Sequence, residues 1–423
     1  MSEQFNLVIR GEEMRNTVII GGGAAGLMAA VSAAEKNKNC NITVIEKNSR
    51  PARKVMITGK GRCNITNNCD IDTLISSIPK NPRFLYSAFS AFSPQDVMTF
   101  FENAGVPLKT ERGNRVFPQS DKAVDIVDAL VNAVKRSGAK IINGTVSSVK
   151  AENGTVTGVK LENGDFIPCD SVVLDTGGAS YPLTGATGDG YRIAKDLGHT
   201  VTELKPSLVP LECHEGFCTK LSGLSLKNVT LSIFESGKKK PIFKEMGEML
   251  FTHFGISGPL VLSASSYMRY MGKKEYVAQI DLKPALSIDQ LDNRILRDFH
   301  EMQNKDFANS LDKLLPKRLI PVIVNLSGIP ADCKVNQISR EMRQGLCSII
   351  KGITLHITRP RPIEEAIITS GGVSVKEINP ATMESKLLSG LFFAGEVIDV
   401  DALTGGFNLQ IAFSTGYLAG QNI

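Results

Sequence analysis

Three glycines, Gly21, Gly23 and Gly26, stand at G-x-G-x-x-G spacing straight after the apolar run Val18–Ile20. In that spacing the first glycine permits a tight strand-to-helix turn. The second lets backbone approach a pyrophosphate, and the third lets helix and strand pack closely. The helix that opens at Ala24 and Ala25 offers unpaired N–H groups and partial positive charge to phosphate. Glu46, beside Lys47, follows at the end of the next apolar run, where a carboxylate can accept both hydroxyls of an adenosine ribose. A glycine turn without a ligand is the plainer reading. Strand, helix and acid together favour a bound dinucleotide, and leave nicotinamide and flavin both open.

The far end of the chain separates them. "SGLFFAGEVIDVDALTGGFNLQ" reads as a strand ending at Gly395-Glu396, a loop through Asp399 to Gly405-Gly406, and a helix opening at Phe407, Asn408 and Leu409. A second glycine-started helix aimed into the crevice stabilises negative charge at N1/O2 of a reduced flavin, which a nicotinamide dehydrogenase has no need of. A packing helix is the alternative. Between the ends, "TGGASYPLTGATGDGY" supplies Thr176, Gly177 and Gly178 for close approach to a ligand, and Asp189 at the start of another helix.

Other residues carry chemistry less specifically. "RKVMITGKGRCNITN" crowds Arg53, Lys54, Lys60 and Arg62 around Gly61, a charge set suited to a pyrophosphate or reduced flavin. Arg62 or Asn64 can orient a substrate carbonyl. Cys63 reads either as a redox thiol or as a small packing residue; no C-x-x-C partner accompanies it. His253, in "FTHFGISGP", reads as a proton donor or as a histidine that fixes a loop. "CHEGFC" offers at most three soft ligands, so no metal site is expected.

The elements that must position these residues follow from pattern. "TVIIGGGAAGLMAAVSAAEKNKNCNITVIEK" is strand, helix over about 24–38, and strand over 42–46. Residues 51–69 have no period and read as loop. Helices are expected near 83–104 and over 123–136. The alternation over 144–169, with Asn153-Gly154 and Asn163-Gly164, predicts a three-strand meander. Val146 opens it and is a further candidate cofactor contact. "SVVLDTGG" then returns to a parallel sheet.

Beyond about residue 204 short strands dominate, then helix, then strand of the first style resumes. The expected fold is therefore α/β: a Rossmann-like FAD-binding domain of parallel sheet plus β-meander, interrupted by an insertion. Residues 14–200 and 358–423 form the FAD-binding domain. Residues 201–357 form an inserted substrate domain, with a β-barrel over about 204–284 and 352–357 and helices over about 285–350.

Composition narrows the class. The 423 residues are 42% hydrophobic and 22% charged, an ordinary globular balance. A formal charge of +5 is small for this length, and Lys238-Lys239-Lys240 reads as a solvated hairpin turn without a helix or aromatic platform around it. A small-molecule substrate is expected, with no nucleic acid and no membrane. No apolar run is long enough to span a bilayer. Eight scattered cysteines suit a reducing cytoplasm. Residues 1–13 read as an extension or an upstream start, because Met14 stands directly before "RNTVIIGGG".

Four strings, "GKGRCNITN", "TGGASYPLTGATGDGY", "GEMLFTHFGISGP" and "AGEVIDVDALTGGFNLQ", resemble the bacterial BaiN/YhiN-type family of FAD-dependent oxidoreductases, from about residue 15 to the end. The resemblance implies bound FAD, a flavin domain in two stretches, and an inserted barrel with helices. It also implies that the loop around Gly61 and Arg62 runs alongside the flavin. The family includes reductases of unsaturated ketones of the steroid and bile-acid kind, and amine-oxidase-type members, which run in opposite redox directions. The expected function is hydride transfer between flavin N5 and a small organic substrate lying between flavin and insertion. NAD(P)H, as donor, would bind only transiently. A flavin-binding sensor or assembly protein without turnover is the alternative, and flavin-dependent tRNA modification is a further one.

Overall fold

The run Val18–Ile20 closes a strand, Arg15–Ile20, at the centre of a five-stranded sheet in this computed structural model, which describes residues 14–423. The extension read over residues 1–13 lies outside the described residues. Across the sheet the order is Leu391–Phe393, Ser171–Leu174, Arg15–Ile20, Cys40–Glu46 and Lys140–Asn143, and every pairing is parallel. Ser171–Leu174 is buried at all four positions, as a parallel strand covered on both faces must be.

The helix Ala24–Lys36 follows the glycine turn and packs on the terminal helix Phe407–Gly420. Their small residues allow the two backbones to touch. A Cβ at Gly416 would collide with the Ala25 carbonyl oxygen, and one at Gly420 with that of Ala29. The first helix stops at Lys36, short of Lys38, because Asn37 adopts an extended backbone.

Two expectations are corrected. Residues 51–69 are not all loop: they hold a short helix Arg53–Ile57, a tight turn Thr58–Gly61 and a strand Thr66–Asn67. That helix shows no apolar period because only Val55 in it is buried. The helical stretch near 83–104 is three pieces, Pro82–Leu85, Tyr86–Ala91 and Pro94–Asn103. Pro94 cannot continue a helix from behind, and Ser93 caps a new one. The helix Ala123–Arg136 and the meander Val146–Glu152, Thr155–Leu161 and Phe166–Pro168 form as read. Asn153 and Gly154 both take positive φ, 50° and 79°, the backbone that a two-residue hairpin turn requires.

The described chain divides into two compact units, one ending at Pro206 and resuming as Ile363–Ile423, the other Ser207–Pro362. The second contains a closed six-stranded barrel in the order Leu211–Cys213, Gly255–Ser257, Phe243–Thr252, Ser225–Glu235, Tyr276–Asp281 and Ile353–Pro360. Helices Ile288–Glu301, Ile320–Ser327 and Arg340–Lys351 precede its last strand. They share with the barrel a core that includes Leu231, Ile280, Leu291, Ile323 and Leu346. No helix among the described residues is long and apolar enough to cross a membrane.

Candidate functional site

From Arg15–Ile20 the sheet extends one way to Cys40–Glu46 and the other way to Ser171–Leu174. In such sheets ligands bind outside the carboxyl ends of the strands where the order reverses. The chain has a cleft there of about 1290 Å³, counting the space open to solvent, and every residue lining it belongs to the first unit. Gly21, Gly23, Ala24, Ala25, Glu46, Lys47, Arg53, Lys54, Val146, Thr176, Gly177, Asp189, Gly395, Glu396, Asn408 and Leu409 line it. The fold thus gathers four separate sequence motifs at one place. Gly26, Gly61, Arg62, Asn64, Gly178, Asp399, Gly405, Gly406 and Phe407 are not in the lining.

At the turn itself, Gly21 has φ 108°, and a Cβ there would collide with the Asp175 carbonyl oxygen. Gly23 opens the helix without any side-chain cap. The Gly26 amide donates to Asp175 Oδ2 at 2.5 Å, and Leu27 bonds back to the Gly23 carbonyl. The Ala24 and Ala25 amides have no protein acceptor among the described residues and line the cleft. Two donors at a helix N-terminus are thus left for an anion.

Asp175 is a residue that sequence reasoning does not single out. Its signal is an acid at the end of the apolar strand "SVVL", directly before Thr176-Gly177-Gly178. It is buried, and burial, together with nearby Glu46 and Glu396, pushes its carboxyl well above the usual range. A carboxyl shifted toward its neutral form beside two anion-binding amides repels a phosphate less than an ordinary carboxylate would.

Glu46 is buried as well. Its Oε2 accepts the Gly22 amide at 2.8 Å, and its Oε1 accepts the Asn48 amide and Nδ2, both at 2.7 Å. These bonds orient the carboxylate and leave lone pairs for ribose hydroxyls. Lys47 Nζ reaches Thr187 Oγ1 and Asp189 Oδ2, both at 2.6 Å, tying the strand end to the third glycine segment. Lys54 Nζ reaches Glu396 Oε2 at 2.6 Å and Ser180 Oγ at 2.7 Å, and Glu396 Oε1 accepts the Thr369 amide at 2.8 Å. Gly178 belongs to this cluster, because a Cβ there would press on the Glu396 carboxylate.

The residues outside the lining shape it indirectly. Gly406, with φ 100°, caps the terminal helix, and a Cβ there would strike the Thr66 carbonyl. Asn67 Nδ2 donates to the Gly405 carbonyl at 3.0 Å. The "CNITN" string therefore braces the glycine pair that starts the terminal helix. Asp399 is held by Lys80 Nζ at 2.5 Å and through its carbonyl by Asn81 Nδ2 at 2.7 Å. Nothing local in sequence announces Lys80.

The proposed catalytic residues are not gathered at the cleft. Arg62 pairs with Glu111 and with Asp121, and its guanidinium lies 4.1 Å from the Phe117 ring centroid. Asn64 keeps a buried, unpartnered Oδ1. Cys63 is fully buried and its thiol is pushed up to about 12 by burial, which favours packing over redox work. His253 lies in the second unit, exposed, with its carbonyl accepting Thr219 Oγ1 at 2.8 Å and its ring edge-on to Phe254.

A dinucleotide fits what is present. The cleft joins an uncapped helix N-terminus to an oriented carboxylate, and Thr176 on its wall has a buried Oγ1 without a partner. The family model of the HI0933-like protein Rossmann domain matches residues 15–422. The chain belongs to the HI0933-like family. It is accordingly an FAD-dependent oxidoreductase with a Rossmann-type nucleotide-binding domain. Among its relatives is the 3-dehydro-bile acid delta(4,6)-reductase of Clostridium scindens, 29% identical over 96% of this chain and 98% of the relative. Another is the ribosomal RNA dihydrouridine synthase of Haemophilus influenzae, 33% identical over 96% of this chain and 98% of the relative. The 3-ketosteroid delta1-dehydrogenase of Sterolibacterium denitrificans shares the fold at a TM-score of 0.52, with 14% identity over 96% of this chain and 99% of the other.

Proposed function

We propose that this flavoenzyme reduces a carbon–carbon double bond conjugated to a carbonyl, and that its substrate is a uracil base of ribosomal RNA. The names of the two sequence relatives support the first part, since both products arise by one bond change. Hydride adds at the carbon β to the carbonyl, negative charge spreads onto the carbonyl oxygen, and a proton completes the α carbon. FAD, when bound, supplies the hydride, with NAD(P)H as its transient donor. The Ala24 and Ala25 amides and Glu46 would hold its pyrophosphate and ribose. Lys54 and Glu396 on the cleft wall form an ion pair that adds no net charge there, and burial of Asp175 holds its carboxyl toward the neutral form.

The observation that carries the RNA reading is charge asymmetry. Residues 207–362 hold 22 Lys and Arg against 15 Asp and Glu, a formal +7, while the rest of the chain is −2. A polyanion is what such a unit attracts. The cytoplasm, where ribosomes lie, is part of the proposal. The second reading, a small unsaturated ketone, is favoured by the bile-acid relative.

The test incubates FAD-loaded protein anaerobically with NADH or NADPH and ribosomal RNA from cells lacking the gene. Dihydrouridine in the nuclease digest, detected by mass spectrometry, is the expected result. Unchanged RNA alongside saturation of a steroid enone would establish the second reading instead.

A further inference from the structure

We propose that one end of the inserted barrel is an RNA-docking surface built from Lys239, Lys240, Lys273, Lys274 and Tyr270; this rests on ribosomal RNA being the substrate. The strands Ser225–Glu235 and Phe243–Thr252 pair as a hairpin whose connection carries Lys238, Lys239 and Lys240, all exposed. Phe234 and Phe243 flank that run in sequence, but Phe243 is buried and Phe234 is not exposed. The fold provides an exposed ring. Ser225–Glu235 also pairs with Tyr276–Asp281, setting Glu235 opposite Tyr276, and the Ser236 amide donates to the Glu275 carbonyl at 2.9 Å. The segment before Tyr276 is thereby laid against the hairpin turn.

That segment brings Tyr270, 54% exposed, and the exposed Lys273 and Lys274. Lys274 Nζ lies 4.8 Å from the Tyr270 ring centroid. Glu235, largely shielded, joins the two halves by pairing with Lys274 at 2.8 Å and Lys238 at 3.1 Å. Glu235 is thus consumed in fixing the geometry. Among the described residues Lys239, Lys240 and Lys273 have no acidic partner within 4.0 Å. Exposed Glu275 adjoins Lys274, and exposed Glu245 stands two residues past Phe243 on the second strand of the hairpin.

The chemistry is specific to nucleic acid. Unpaired ammonium groups neutralise phosphates and release counterions, while an exposed ring held by a cation offers a face for an unstacked base. An acidic protein would use the lysines but not the exposed ring.

The experiment compares wild type with the triple variant Lys239→Glu, Lys240→Glu, Lys273→Glu and with Tyr270→Ala. A control triple reverses Lys220, Lys305 and Lys317, exposed elsewhere on the same unit. Binding of gene-deficient ribosomal RNA is measured by fluorescence anisotropy across a salt series, together with KM and kcat for dihydrouridine formation. The patch triple should raise KM at least about tenfold and flatten the salt slope by about two or more. Its kcat, FAD content and rate of flavin reduction by NAD(P)H should be unchanged. Tyr270→Ala should weaken binding at an unaltered salt slope. Equal losses in the patch and control triples, or a patch triple with unaltered KM, would overturn the surface while leaving the function standing. Wild-type protein that neither binds nor modifies RNA would overturn both.

Discussion

Asp175 closes the glycine turn from the opposite strand: its Oδ2 lies 2.5 Å from the Gly26 amide, at the point where the sheet order reverses. Its ordinary value is 3.8 and folding raises it, through burial first. The unionised form therefore suits the folded protein. The stability it contributes is full below the ordinary value and is lost as pH rises toward the folded one. Asp175→Asn keeps an acceptor for Gly26 without an ionisable group. It should melt higher than wild type at pH 8 and show no gain at pH 4. An equal gain at both pH values would show that the carboxyl is not protonated in the fold.

Gly23 has ordinary backbone angles, φ −79° and ψ −171°, so a side chain there is not excluded by conformation. A Cβ there would lie 3.0 Å from Asp175 Oδ2, at the mouth of the helix start. Gly23→Val should lower retained FAD at least about tenfold, about 1.4 kcal/mol in binding, and the apo-protein should melt below wild type because the added Cβ crowds the Asp175 carboxyl. The visible spectrum per mole of protein is the measurement. Full FAD content in this variant would remove the phosphate role of the turn.

Lys54 and Glu396 meet at 2.6 Å with side chains 24% and 11% exposed. Removing one partner strands the other charge away from water, which costs roughly 3–5 kcal/mol when burial is complete and less here. Lys54→Met should therefore destabilise clearly. Lys54→Met with Glu396→Gln should recover much of the loss, because no charge is then left unpaired. Chemical denaturation of the three variants gives the coupling directly.

Cys63 is fully buried, with its thiol pushed up to about 12 by burial. The thiolate is then scarce at neutral pH, and alkylation of the folded protein should leave Cys63 unmodified until denaturant is added. Cys63→Ala should keep its turnover and lose on the order of 1 kcal/mol of stability to the missing sulfur. Loss of turnover at full FAD content would restore the redox reading.

Much of the nucleotide-binding half is legible before folding because it depends on local backbone. Gly21 and Gly406 are read from conformations that other residues resist, Asn153-Gly154 from the turn it must form, and Glu46 from its distance along a strand–helix–strand unit of fixed size. Even the short helix at Arg53–Ile57 escapes such reading, since one buried residue makes no period.

The long-range pairings are of another kind. Arg62 looks in sequence like a flavin or substrate ligand, yet Glu111 and Asp121, brought close by the strands Leu108–Glu111 and Arg115–Pro118, take up its guanidinium. Asp399 finds Lys80, and Lys54 finds Glu396, across more than three hundred residues. Lys238-Lys239-Lys240 gains the exposed ring of Tyr270 only because Glu235 pairs with Tyr276. The sequence by itself determined that a dinucleotide-binding turn exists and which cofactor class suits it, since those depend on φ, ψ and residue order. Tertiary structure alone decided which charges are already spent on one another and which remain for a ligand. An ion pair is set by distance in space, and chain separation does not encode that distance.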